Sequence, residues 1–159
     1  FGLDIVDPGT TRTSILEEIG GTYLDGRKIK ASEIPEKIGQ IDLILEAAGV
    51  ARIEFDLFNA LGVNGGYVLT GVPPTSTFEI NGGRLIHNFV MKNQIAIGSV
   101  NASKKHWEMA VRDLTESAKK WEGALRSMIT ARIPYHKLLD LLEHPSKDDI
   151  KTVVNWGAA

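Results

Sequence analysis

The sequence contains no cysteine. This excludes a disulfide framework, a zinc–cysteine site and a thiol nucleophile within the chain. It does not fix the compartment, and a cytoplasmic location is the default expectation. No uninterrupted apolar run approaches the roughly 18 residues of a membrane span, so no membrane partner is expected. An excess of one charge is lacking too. Lys and Arg number 18 against 20 Asp and Glu, a net charge of −2, which gives no pull toward nucleic acid or an anionic surface. Internal repeats, low-complexity tracts and long linkers are missing. The chain opens on Phe1, and nothing after it reads as a signal peptide. A piece of a longer polypeptide is therefore expected.

What is present is an ordinary globular balance: 159 residues, 43% hydrophobic and 24% charged. Such a chain fits one domain and buries roughly 70% of the surface it exposes when unfolded. Short apolar strands alternate with amphipathic stretches, the pattern of parallel β-α-β units. Strands are expected at Leu3, Ile5 and Val6, at residues 22–24, 41–46, 67–70, 95–100 and 150–156. The segment 41–46 is almost continuously apolar, as in a strand covered on both faces. Helices are expected over residues 14–19, 33–38 with Ser32 as cap, 52–61, 84–92, 106–120, 123–129 and 135–142, with a turn at Asn64-Gly65-Gly66.

In an open α/β sheet, ligands bind beyond the carboxyl ends of the strands. The residues there are Asp7-Pro8-Gly9-Thr10-Thr11-Arg12, then Ala47-Ala48-Gly49-Val50, then Thr70-Gly71-Val72-Pro73-Pro74, then Asn101-Ala102-Ser103. They are mostly small and let a flat ligand lie against main chain. Each has a plainer reading. Gly49 and Gly71 serve tight turns equally well, Asn101 is an ordinary turn residue, and Asp7 caps a turn as readily as it binds a ribose. The conjunction of four similar strand ends points to a dinucleotide crevice rather than a proton-transfer site.

Other residue types give less. His87, His106, His136 and His144 have no metal-ligand spacing beside carboxylates. They read as surface or packing histidines. Trp107, Trp121 and Trp156 read as core or interface anchors. No nucleophile-base arrangement follows from spacing, so no catalytic residue and no metal ligand is assigned.

Three segments together resemble the archaeal-type glucose dehydrogenases of the medium-chain dehydrogenase/reductase superfamily: residues 41–49, residues 65–72, and residues 97–106, in which Val100-Asn101 precede a helix opened near His106. The resemblance runs through most of the chain in the same order. It implies a Rossmann-like, doubly wound parallel sheet and NAD(P)-dependent oxidation of an aldose to its lactone, with a small sugar as substrate. Ala48, Gly49 and Val50 would flank the cofactor and Thr70, Gly71 and Val72 line its nicotinamide side. Ser99, Val100 and Asn101 would reach the nicotinamide, with Asn101 also touching the sugar. Asp7 would favour the free ribose of NAD, and Arg12 the 2′-phosphate of NADP.

The resemblance also defines what is not here. The G-x-G-x-x-G phosphate loop is absent. The expected fold therefore lacks its first strand and phosphate-binding loop, and the zinc of the family is expected only in a preceding catalytic domain. Residues 1–145 would form a partial dinucleotide-binding domain and residues 146–159 a strand returning toward that catalytic domain. The chain alone is expected to be inactive. In the strand order 3-2-1-4-5-6 the first strand is central. Without it the second and fourth strands lose a shared partner. The sheet would then re-pair, recruit a strand from another chain, or exist within a larger protein. A homo-oligomer is expected. The competing expectations are a zinc-independent medium-chain reductase and a truncated, non-catalytic oligomerising domain.

Overall fold

The computed structural model describes residues 1–157. The chain alternates strands and helices throughout, and every strand pair is parallel. This is the expected α/β, Rossmann-like architecture. Two compact units are described separately: residues 26–102, and residues 1–25 with the described residues from 103 onward.

The first unit holds a three-stranded sheet of order β3-β4-β5, with β3 at Ile41–Glu46, β4 at Leu61–Leu69 and β5 at Ile95–Gly98. The helices are α2 (Ile34–Ile38), α3 (Ala51–Leu57) and α4 (Gly82–Met91). The core gathers Ile34, Ile44, Leu57, Ala60, Leu61 and Tyr67. Tyr67 is fully buried, packs edge-on against Phe58, and donates its hydroxyl hydrogen to the Glu54 carbonyl at 3.0 Å. Burial pushes the Tyr67 hydroxyl well above the usual phenolic range, with the Glu46 and Glu54 charges adding to the effect. Only one face of this sheet is covered. Leu43 and Leu45 on β3 and Ile95 and Ile97 on β5 alternate with the core positions and are exposed. The expected cover on both faces of β3 is therefore not observed.

Asn64-Gly65-Gly66 lies inside β4 instead of forming a turn between elements. Ile41 pairs with Leu61 and Leu43 with Gly66, so the β4 strand bulges between them. Asn64 adopts φ 58°, which asparagine tolerates. The bulge leaves carbonyls without ladder partners. Buried Gln94 donates to the carbonyls of Leu61 and Gly62 at 2.9 and 3.2 Å, and Lys92 Nζ donates to Leu61 at 3.0 Å. Leu61 thus belongs to a strand, and the helix expected over 52–61 ends at Leu57. Gln94→Met should cost about 1–3 kcal/mol, because the Gly62 carbonyl would be left buried without its donor. The midpoint of chemical denaturation measures this.

Two helix starts also differ from expectation. Residues 31–33 form a 3-10 turn, begun when Glu33 accepts the Lys30 N–H at 3.3 Å, so Ser32 is not a cap. The α4 start is set by Asn81, whose side chain accepts the Arg84 N–H at 3.0 Å.

In the second unit, β1 (Gly2–Asp4) and β2 (Tyr23–Asp25) pair around α1 (Thr11–Glu18). Ile5 and Val6 lie beyond β1 rather than in it. Buried Thr13 holds the α1 entry: its hydroxyl donates to the Thr10 carbonyl at 3.1 Å and accepts the Gly9 N–H at 3.0 Å.

The long helix α5 (Lys104–Lys120) starts two residues before the expected position. His106 explains the shift. Its Nδ1 accepts the Ser103 N–H at 3.1 Å, closing a cap at Ser103. After α6 (Glu122–Ser127) the chain enters β6 (Ile129–Pro134), a strand concealed by the helix expected over 123–129 and the gap after it. A 3-10 turn, Tyr135–Lys137, and α7 (Leu138–Glu143) lead to β7 (Lys151–Asn155), parallel to β6. Trp107 and Trp156 are exposed, not core anchors; Trp156 stacks on Tyr135.

Asp149 ties β6 to the start of β7 through the hydroxyls of Thr130 and Thr152. These bonds hold its carboxyl below its usual value of 3.8. A lowered value means that the carboxylate stabilises the fold above pH 3.8 and that this contribution is lost as pH falls through the lowered value. Acid titration of the chain should therefore show a loss of stability below that pH, and Asp149→Asn should remove this component.

Candidate functional site

The strand ends of residues 26–102 converge at one edge of the β3-β4-β5 sheet. The polypeptide leaves β3 through a turn at residues 47–50, in which Gly49 has φ 67°. That turn meets the exit from β4 main chain to main chain. A Cβ at Gly71 would lie 2.2 Å from the Gly49 nitrogen and 2.6 Å from its Cα. Only glycine allows this approach. The exit from β5 is fixed beside them, because the Ser99 N–H donates to the Leu69 carbonyl at 2.9 Å.

One residue joins the first two turns. Glu46 ends β3 and is almost fully buried. Its Oε1 accepts the N–H groups of Ala48 and Gly49 at 2.6 and 2.8 Å, and its Oε2 accepts that of Gly71 at 3.2 Å. Its carbonyl accepts the Thr70 N–H at 2.9 Å and the Thr70 hydroxyl at 2.7 Å. The Thr70 side chain is therefore directed to the neighbouring turn.

On this frame stand three apolar side chains, each following a different strand. Val50, Val72 and Val100 are exposed, Val72 by 80% and Val100 by 75%. Asn101 adopts φ 66°, a left-handed conformation that asparagine tolerates. Exposed valines beside closely packed main chain can receive a flat ring, with the Glu46 carboxylate already engaged by main-chain N–H groups.

The candidate residues are thus only partly brought together. Ala48, Gly49, Val50, Thr70, Gly71, Val72, Ser99, Val100 and Asn101 all lie in the unit of residues 26–102. Asp7 and Arg12 belong to the other unit. Arg12 lies in the first turn of α1, where its guanidinium donates to the Asp149 carbonyl at 3.2 Å. The four histidines are all exposed. Among the described residues no group of His, Asp or Glu is placed to hold a metal ion.

Sequence reasoning misses Glu46 as a site residue because it reads as the last position of an apolar strand. A signal is available: a carboxylate ending a buried strand must find donors, and the small residues Ala48 and Gly49 follow at once. Glu54, on α3, is the second buried carboxylate of residues 26–102. Its Oε1 has no partner among the described residues, and burial, with the Glu46 charge, raises it above the usual carboxylate range. Since protonation is favoured in the fold, Glu54 lowers stability as pH rises through the carboxylate range. Glu54→Gln should raise stability at neutral pH and flatten that pH dependence in thermal melts.

Parallel strands with helical crossovers, and a row of small residues at their carboxyl ends, define a Rossmann-like α/β protein. The chain belongs to the family described as glucose dehydrogenase C-terminus, whose model matches residues 3–156. Glucose 1-dehydrogenase 1 of Haloterrigena turkmenica is 41% identical over 147 residues, which cover 90% of this chain and 40% of that relative. Glucose 1-dehydrogenase of Haloarcula marismortui is also 41% identical, over 144 residues, covering 91% of this chain and 40% of the relative. The Haloferax mediterranei glucose dehydrogenase in complex with NADP, Zn and gluconolactone superposes with a TM-score of 0.88 at 28% identity, covering 99% of this chain and 43% of that one. The chain thus spans about 40% of the length of these relatives. Among the described residues no helix is long and apolar enough to cross a membrane.

Proposed function

We propose that this chain is the cofactor-binding part of an NAD(P)-dependent sugar dehydrogenase, a protein that oxidises an aldose to its lactone. The observation that carries this reading is the junction of residues 48–50, 70–72 and 99–101. Three strand ends are held together there through their main chain, and Val50, Val72 and Val100, which follow them, are exposed. Family membership and the NADP and gluconolactone held by the Haloferax relative support it.

The residues present fit the nicotinamide end of a dinucleotide. When bound, that group accepts the hydride. This chain's part is positional. The main chain of Gly49 and Gly71 lets the ring approach closely, the three valines exclude water from its face, and Asn101 presents an amide toward the substrate side. The strand-end residues do not fit a metal, because the histidines are scattered and exposed. In this reading zinc is held by a catalytic domain outside these residues.

Residues 1–145 then make up the cofactor-binding part, and residues 146–159, which carry β7, lead back toward that domain. Asp7 and Arg12 would face the adenosine ribose, serving NAD or NADP respectively. The outer edges of β3 and β5, which pair with no further strand among the described residues, favour assembly into a homo-oligomer. A cytoplasmic location goes with a dinucleotide that cells keep inside.

The test is a spectrophotometric assay of the intact polypeptide carrying this sequence, with zinc, against a panel of aldoses and alcohols. Aldose-dependent reduction of NADP or NAD is expected. Turnover of enones or quinones, with no sugar oxidised, would replace this reading with a zinc-independent reductase.

A further inference from the structure

We infer that Glu46 is a positioning residue for the nicotinamide side of the site: its single carboxylate clamps the turn after β3 to the turn after β4. The inference rests on the dinucleotide reading above. Three observations carry it. The two oxygens divide their work, Oε1 toward Ala48 and Gly49 and Oε2 toward Gly71. The carboxylate is screened from water, only 5% of the residue being exposed. The turns it joins are the pair that touch main chain to main chain at Gly49 and Gly71.

The divided geometry makes one substitution selective. In Glu46→Gln the amide oxygen can still accept from Ala48 and Gly49. The amide nitrogen would then face the Gly71 N–H, donor against donor. The β3 turn is kept and only the side-chain link to the β4 turn is lost, while the bonds from Thr70 and from the Gly71 N–H to the main-chain carbonyl of residue 46 remain. Glu46→Ala removes both side-chain links and leaves the Ala48 and Gly49 N–H groups without their acceptor, so it is expected to unfold more easily. The glutamine variant is therefore the decisive one.

The experiment compares two probes on the intact polypeptide carrying this sequence. The reduced dinucleotide spans both halves of the site, whereas ADP-ribose lacks the nicotinamide. Dissociation constants are read by fluorescence titration or calorimetry, for wild type and Glu46→Gln, with circular dichroism to show that the variant is folded. The expected result is a weakening of about tenfold for the reduced dinucleotide, as for one lost hydrogen bond to a charged group, with ADP-ribose affinity unchanged. Equal affinities of wild type and variant for the dinucleotide would overturn the inference. So would an equal loss for both probes, since that marks general damage to the fold. If wild type binds ADP-ribose or the dinucleotide at no measurable concentration, the dinucleotide reading itself falls, and the role of Glu46 with it.

Discussion

Replacing Gly71 with alanine is expected to abolish dinucleotide binding and to destabilise the fold. The cause is space, not conformation. The new methyl group would be placed 2.2 Å from the Gly49 nitrogen and 2.7 Å from the Glu46 carboxylate. Main-chain atoms cannot swing aside as a flexible side chain can, so the turns at residues 47–50 and 70–72 must part. Overpacking of this kind costs about 1–3 kcal/mol. The three N–H bonds to Glu46 would also lengthen, adding to that loss. A denaturation curve reads the stability loss, and titration with reduced dinucleotide reads the binding loss. Wild-type affinity in a folded Gly71→Ala protein would show that the two turns need not touch.

Tyr67→Ala is expected to have the largest effect on stability, about 3–5 kcal/mol, the range for deleting a buried ring. Tyr67 is 0% exposed and forms the centre of the core of residues 26–102, against Phe58. The alanine also removes the donor to the Glu54 carbonyl. Tyr67→Phe separates the two contributions. It keeps the ring and loses only the hydrogen bond, so it should cost about 1–2 kcal/mol. Equal losses for the two variants would mean that the hydroxyl, and not the ring, holds this core.

The legible parts of the sequence are those where local pattern and tertiary role agree. The strand at 41–46 is nearly continuous in apolar residues, and its expected and observed bounds coincide. The helices opened by Asn81 and Ser103 carry their own caps, which fixes their starts to within two residues. Expectation and structure part where tertiary contacts override local signals. Glycines 65 and 66 resemble a turn, yet Gly66 pairs with Leu43 of β3 and Ile95 of β5, while Gln94 and Lys92 bond the Leu61 and Gly62 carbonyls at the bulge. β6 is hidden because its strength comes from pairing with β7, not from its own composition.

The candidate site divides along the same line. Residues 48–50, 70–72 and 99–101 are visible because strand ends have a general meaning in α/β sheets. The Gly71 half of the Glu46 clamp is not visible, because a hydrogen bond across 25 residues of sequence leaves no local pattern. The bare face of the sheet, with Leu43, Leu45, Ile95 and Ile97 exposed, is likewise concealed by composition: apolar strands read the same whether one face is covered or two.

The central claim is that a nicotinamide dinucleotide lies across the ends of β3, β4 and β5. Amide hydrogen exchange of the intact polypeptide, with and without reduced dinucleotide, tests it most directly. Added protection should appear in residues 48–50, 70–72 and 99–101. Protection confined to other segments, with these three unchanged, would contradict the claim.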